Sequence, residues 1–105
     1  ETYIECDQPF DVIENGEKSL WLRVDSNATY RVIATICDPA SSLIGQHVCN
    51  VELDGRAVVS FDSYGNTHEP YTRYVGCVQL QKGWYEFKLN HVKPGMRVDR
   101  VLFKK

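Results

Sequence analysis

A short polar segment, from Asp62 to Arg73, concentrates aromatic rings and hydrogen-bonding side chains. Ligands rich in hydroxyl groups, such as sugars, have C–H faces that stack on aromatic rings and hydroxyls that need planar polar partners. The segment supplies both kinds of group, which predicts a binding site for such a ligand. Its tyrosines could instead fold back onto the protein as part of an ordinary surface loop. The residues predicted to bind are Tyr64, Asn66, His68, Glu69, Tyr71 and Arg73.

Trp84 is a further candidate for the same role. In a strand, side chains alternate between two faces, and Trp84 has the opposite parity to Tyr85, Phe87 and Leu89. If those three residues face a core, the Trp84 ring faces outward and offers a platform for a ligand. The alternative is that the ring packs against a neighbouring loop. Trp21 is another candidate.

Catalytic motifs are not found in this sequence. It contains no G-x-S-x-G nucleophile motif and no glycine loop that would cradle a phosphate. Asp62 and Glu69 form the only local carboxylate pair in the candidate segment, whereas glycoside hydrolysis needs two carboxylates held across a cleft. We therefore expect that the chain is not an enzyme.

Composition excludes two further classes of partner. The net charge is −2 and the twelve Lys and Arg residues are scattered, with only Lys104 and Lys105 adjacent. A nucleic-acid partner is not expected, because such binding normally needs a basic patch or stripe. The sequence contains no run of about 18 apolar residues, so a membrane span is not expected. The length of 105 residues suits one domain, residues 1–105.

Hydrophobic residues alternate with a period of two along most of the chain, which predicts an all-β protein. Tyr30, Val32, Ala34 and Ile36 share one face of a strand in this pattern, and Tyr74, Gly76, Val78 and Leu80 share one face of another. Turn signals separate the strands, and Asp54-Gly55 is the strongest hairpin signal. About nine short strands with such spacing indicate an antiparallel β-sandwich. We expect strands near 2–6, 10–14, 19–25, 29–37, 48–53, 56–61, 73–80, 84–90 and 97–103, and loops at 39–47 and 62–72.

The four cysteines, Cys6, Cys37, Cys49 and Cys77, lack the spacing of a zinc site. Two alternatives remain open. All four are free thiols that behave as small hydrophobic residues, or one disulfide closes the loop between Cys37 and Cys49.

Five motifs, in order along the chain, resemble those of carbohydrate-binding module families 6 and 35. They comprise an opening strand, a central strand, a hairpin and two late strands, and together they cover most of the chain. The motifs are Tyr3-Ile4-Glu5-Cys6-Asp7, Tyr30-Arg31-Val32-Ile33-Ala34, Val51-Glu52-Leu53-Asp54-Gly55, Leu80-Gln81-Lys82-Gly83-Trp84-Tyr85-Glu86-Phe87 and Val98-Asp99-Arg100-Val101-Leu102-Phe103.

This resemblance implies a jelly-roll sandwich that binds a glycan without catalysis and targets an attached glycan-active enzyme to its polysaccharide. It also implies a secreted or extracellular location. The chain departs from the family pattern at Pro70-Tyr71-Thr72-Arg73, where the family has a W-x-x-W approach. It departs again at Arg97, where the family often has Asn. These are binding positions in the family, so the departures point to a different ligand or the loss of the usual site.

The resemblance further implies a structural Ca²⁺ ion held by Glu5, Asp7 and Asp99, with backbone carbonyls completing its shell. Asp99 has the same parity as Val101 and Phe103, so its carboxylate should point inward or to the edge of the sandwich. A buried carboxylate requires a partner or a metal. The alternatives to calcium are an ion pair with Arg100 or Arg23, or exposure to solvent.

A different class of function is also consistent with the sequence. The domain would then be a structural or protein-docking β-sandwich of an extracellular protein, with Leu43 and Ile44 in the loop 39–47 as the contact. The alternative role for those two residues is to cap one end of the core. A receptor-like ectodomain would share the same fold, because fold alone does not determine function.

Overall fold

The computed structural model describes residues 2–12, 20–38, 48–62, 67–91 and 96–105, with the backbone alone described for Asp38, Thr67, His68 and His91. These ranges contain nine strands, in agreement with the number expected from the alternation. The strands are β1 (Tyr3–Glu5), β2 (Phe10–Asp11), β3 (Leu20–Val24), β4 (Ala28–Asp38), β5 (Val48–Leu53), β6 (Arg56–Asp62), β7 (Thr67–Leu80), β8 (Gly83–His91) and β9 (Arg97–Lys104).

The strands form two sheets that pack as a sandwich. A five-stranded sheet has the order β1-β3-β8-β5-β6, and a four-stranded sheet has the order β2-β9-β4-β7. All the strand pairs are antiparallel except one, since β1 runs parallel to β3. The predicted all-β sandwich is therefore confirmed, with one parallel pair at the edge of the five-stranded sheet.

Alternating side chains from both sheets fill the core. Tyr30, Val32, Ala34 and Ile36 are all buried, as the period of two predicted for this strand. The Tyr30 hydroxyl donates to the Ser26 carbonyl at 2.6 Å, which satisfies the polar end of a fully buried ring. Between the sheets, the Phe87 and Phe103 rings meet edge to face with centroids 6.0 Å apart.

The hairpin between β5 and β6 turns at Asp54-Gly55, as expected. Both residues have positive φ, 53° and 81°, which is the backbone of the two-residue turn that joins twisted antiparallel strands. Asp54 also ties this turn to β8: its amide donates to the Glu86 carbonyl at 2.9 Å, and its Oδ1 accepts the Glu86 amide at 2.8 Å.

One strand is longer and less regular than predicted. β7 begins at Thr67 rather than near residue 73, so the second half of the predicted loop 62–72 belongs to a strand. In the pairing with β4, Val32 faces Gly76 and Ile33 faces Tyr74, which leaves Val75 as an extra residue in a β-bulge. The prediction that Tyr74 shares a face with Gly76 is therefore wrong, because a bulge reverses the facing of every residue before it.

The disulfide alternative for Cys37 and Cys49 is also wrong. No disulfide joins any of the four cysteines, all of which lie in the described ranges. Cys37 and Cys49 are buried, which agrees with the alternative of small hydrophobic residues. The part of the chain that the structure describes holds no helix long and apolar enough to cross a membrane.

Candidate functional site

Three exposed aromatic rings lie together on the outer face of the five-stranded sheet. Tyr3 on β1, Trp21 on β3 and Trp84 on β8 are 37%, 51% and 54% exposed. The Tyr3 and Trp84 rings are 5.2 Å apart at an interplanar angle of 71°. Together with Thr2 they line an open depression of about 370 Å³, within the size range of small-ligand sites. We call these three residues the aromatic cluster.

The pairing of three strands assembles the cluster. Tyr3 lies beside Trp21 in the parallel β1–β3 pair, and Arg23, two residues after Trp21, lies beside Trp84 in the β3–β8 pair. Each ring alternates with a neighbour that faces the core, as Ile4 does after Tyr3. The rings consequently stand on the solvent side of three adjacent strands.

An ion pair borders the aromatic cluster. The Arg23 guanidinium donates from Nη1 to Glu5 Oε1 at 3.2 Å, and each side chain is about half exposed. Guanidinium groups offer several donors in one plane and carboxylates offer acceptors, so the pair can serve hydroxyl groups of either polarity. Rings and hydrogen-bonding groups therefore lie side by side on this face.

Further polar side chains continue the same face along β8 and β5. Asn90 Nδ2 donates to Glu52 Oε2 at 3.1 Å, and Ser60 Oγ donates to Asn50 Oδ1 at 2.6 Å. Glu86 and Lys88 lie between Trp84 and Asn90 on the exposed side of β8. At about 3.3 Å per residue the face extends roughly 20 Å along this strand, which is long enough for an extended ligand.

The predicted outward position of Trp84 is confirmed. Trp21 lines the same depression as Trp84. Tyr3 was not predicted from the sequence. The available signal was that Tyr3 and Glu5 flank an apolar Ile4 in an alternating strand. That signal becomes meaningful only once the parallel pairing with β3 is known.

The segment 62–73 is divided by the structure. Tyr64 and Asn66 lie outside the described residues, and the side chain of His68 is likewise not described. Glu69 is exposed on β7.

Tyr71 and Arg73 are half-buried, because they pair with Ile36 and Ala34 and thus face the inner side of the sheet. Tyr71 packs against the core, and Arg73 Nη1 donates to the Asp62 carbonyl at 2.9 Å. The described part of this segment therefore provides no exposed ring.

The three carboxylates predicted to bind calcium do not converge. Glu5 pairs with Arg23 on the outer face of the five-stranded sheet. Asp7 Oδ1 accepts the Lys105 amide at 2.9 Å, and the Asp7 amide donates to the Phe103 carbonyl at 2.8 Å. Phe103 lies four residues after Asp99 in β9, so Asp7 lies about 13 Å from Asp99 along this strand.

Asp99 lies on a bulge of β9, since Thr35 faces Arg100 and Ile36 faces Val98. The Arg97 Nε donates to its Oδ1 at 2.6 Å, and this hydrogen bond raises the pKa of Arg97. The partner of Asp99 is thus Arg97, not Arg100 or Arg23. In the described ranges no group of three or more His, Cys, Asp and Glu side chains is placed to hold a metal ion, so calcium binding stays a prediction without an assembled ligand set.

Comparisons with known proteins identify structural neighbours. No protein-family model and no curated protein matches the sequence. A solved β-glucosidase from Paenibacillus barengoltzii superposes with a TM-score of 0.77 at 25% identity, over 96% of this chain and 11% of the β-glucosidase. This chain thus spans about a tenth of that enzyme's length.

A second solved structure is the carbohydrate-binding module CBM6cm-2 from Cellvibrio mixtus lichenase 5A, in complex with cellotriose. It superposes with a TM-score of 0.66 at 12% identity, over 98% of this chain and 74% of the module. At this identity the likeness concerns the fold. The chain has the β-sandwich fold of a family 6 carbohydrate-binding module, as the order of its sequence motifs predicted.

Proposed function

We propose that this chain is a non-catalytic carbohydrate-binding module that holds a glycan on the aromatic cluster. The observation that carries the proposal is the exposure of Tyr3, Trp21 and Trp84 beside the Glu5–Arg23 ion pair on one outer face of the sandwich. Pyranose rings would stack their C–H faces on the indoles, and their hydroxyls would bond to Arg23 and Glu5. The lichenase module with the same fold, which was solved with cellotriose, supports a glycan ligand.

Binding by such a surface is weak. Each half-exposed indole can bury roughly 100 Å² more on contact, worth about 2–3 kcal/mol at ~25 cal/mol/Å². Two indoles therefore contribute about 5 kcal/mol, and the ordering of ligand and side chains offsets part of this. We expect a dissociation constant between about 0.2 and 1 mM for an oligosaccharide.

Weak binding suits a targeting role. A module that holds an attached enzyme on its polysaccharide raises the local substrate concentration while still allowing release. The match to about a tenth of a β-glucosidase supports a parent protein that contains a glycan-active enzyme. We place that parent in the secreted or extracellular space, where polysaccharides are accessible.

Affinity electrophoresis in gels containing lichenan, together with calorimetry using cellotriose, tests this function. Trp84→Ala and Trp21→Ala should each weaken binding about ten-fold or more, with unchanged thermal unfolding. Tyr74→Ala is a matched control, because Tyr74 is also 54% exposed but lies on the other sheet. Unretarded wild-type protein, or tryptophan variants that bind like wild type, would refute the proposed site.

The same samples discriminate the protein-docking alternative. A docking domain would show no retardation in any glycan gel, while its mass would rise with concentration in sedimentation experiments. A glycan-binding module would give the opposite pair of results.

A further inference from the structure

The outer face of the four-stranded sheet carries a short apolar row. Tyr74 on β7, Ile33 on β4 and Leu102 on β9 are register partners and lie side by side. Tyr74 is 54% exposed, and the other two side chains are half-buried. This row lies on the opposite side of the sandwich from the aromatic cluster.

Cations flank the apolar row on both sides. Arg31 and Lys104 are register partners one row away, and Arg100 faces Thr35 in the row on the other side. All three cations are exposed, and Arg31 and Lys104 form no ion pair with any residue in the described part of the chain. Arg100 is the register partner of Asp11 on β2, so one carboxylate borders the cations at this edge of the sheet. We call the six residues Tyr74, Ile33, Leu102, Arg31, Lys104 and Arg100 the basic face.

The direct pairing of Arg31 with Lys104 is unfavourable in the isolated protein. Like charges directly opposite each other on neighbouring strands destabilise a sheet. An anion bound between them would remove that repulsion. The arrangement contrasts with the net charge of −2 and with the opposite face, which carries the carboxylates Glu5, Glu52 and Glu86.

The size of the basic face distinguishes between kinds of anionic partner. Three strands at about 4.8 Å spacing span about 10 Å, and the five residues from Arg100 to Lys104 span about 13 Å. A stable protein–protein interface needs about 800 Å² per partner, several times this area. The basic face has instead the dimensions of a few sugar units, and its exposed tyrosine offers a ring for stacking.

We propose that the basic face binds a segment of an acidic polysaccharide, with uronate carboxylates on Arg31, Lys104 and Arg100 and a sugar ring on Tyr74. This second site does not depend on the aromatic cluster or on its neutral ligand. A hydrogen bond with Cys77 raises the pKa of Tyr74. A tyrosine phenol is uncharged at neutral pH even without this shift, so Tyr74 does not repel a polyanion.

Affinity electrophoresis with polygalacturonate tests the proposal, with highly methyl-esterified pectin as a ligand of similar backbone and little charge. The wild type should be retarded by polygalacturonate and not by the ester. Arg31→Glu and Lys104→Glu should each weaken binding about ten-fold, because each removes a charge-assisted hydrogen bond. Tyr74→Ala should weaken it about five-fold.

Two controls make the experiment specific. Arg56→Glu changes an exposed cation at the start of β6, on the other sheet, and should bind like wild type. Trp84→Ala should retain polygalacturonate binding even if it loses lichenan binding. The proposal is overturned if polygalacturonate does not retard the wild type, or if Arg31→Glu and Arg56→Glu behave alike. It is also overturned if duplex DNA binds as tightly as polygalacturonate and Tyr74→Ala has no effect on polygalacturonate binding.

Discussion

At the scale of single residues, Cys6 shows how a side chain's surroundings set its protonation. The thiol follows β1 in a small polar depression that it shares with Glu5, Arg23 and Asp25, and Sγ donates to the Arg23 carbonyl at 3.4 Å. Burial, and secondly the charge of Asp25, raise the pKa of Cys6 above its ordinary value. Both effects disfavour the thiolate.

This shift predicts a loss of stability at alkaline pH. Because the folded state retains the thiol proton to a higher pH than the unfolded state, the free energy of unfolding is unaffected below about pH 8 and falls as the pH rises beyond it. Urea unfolding at pH 7.5 and pH 10 measures the effect. Cys6→Ala should lose less stability over this interval than the wild type. An identical pH dependence in the wild type and Cys6→Ala would contradict this assignment.

At the scale of elements, the bulge in β7 determines which side chains are available for binding. With Val75 as the extra residue, Tyr71 and Arg73 face the inner side of the sheet and Tyr74 faces outward. Gly76 follows the bulge and lies against Val59 of β6 in the other sheet. A Cβ at this position would lie 2.9 Å from Val59 Cγ1 and 3.2 Å from its Cγ2.

Gly76→Ala should therefore destabilise the fold by about 1–3 kcal/mol, the usual cost of overpacking a core position. Val59→Ala removes both of the clashing methyl groups. The double variant should be more stable than the sum of the two single effects predicts, with a coupling of about 0.5–2 kcal/mol in urea unfolding. Strict additivity of the two changes would show that contact with Val59 is not the reason for glycine here.

At the scale of the whole molecule, the sandwich presents two outer faces of different chemistry. The five-stranded sheet exposes indoles with carboxylates, and the four-stranded sheet exposes a tyrosine with cations. The hydrophobic core separates the two faces. Binding at one face has little effect on affinity at the other face unless the close-packed core between them has two alternative arrangements.

The two proposed sites should therefore bind independently. Saturating cellotriose should leave the dissociation constant for an oligogalacturonate unchanged within a factor of about two. One ligand changes the affinity for another only if both bind differently to two states of the protein. Calorimetric titration of the oligogalacturonate, with and without cellotriose, provides the measurement. Direct competition would place both ligands on one face.

The sequence by itself determined the local features of this protein. Alternation predicted the nine strands, the buried side of β4 and the outward direction of Trp84, because side-chain parity depends only on neighbours in the chain. Asp54-Gly55 predicted its turn because the positive φ of that turn is a property of the dipeptide. The ordered motifs were sufficient to predict the sandwich fold.

Only the tertiary structure decided which residues lie together. Tyr3 and Trp21 reach Trp84 through the parallel β1–β3 pair and the β3–β8 pair, which join distant parts of the chain. One extra residue in β7 turned Tyr71 inward, because a shift of one position moves every side chain to the opposite face. Neither strand partners nor bulges are encoded in the local alternation, so the binding surface emerged from the packing of the sheets.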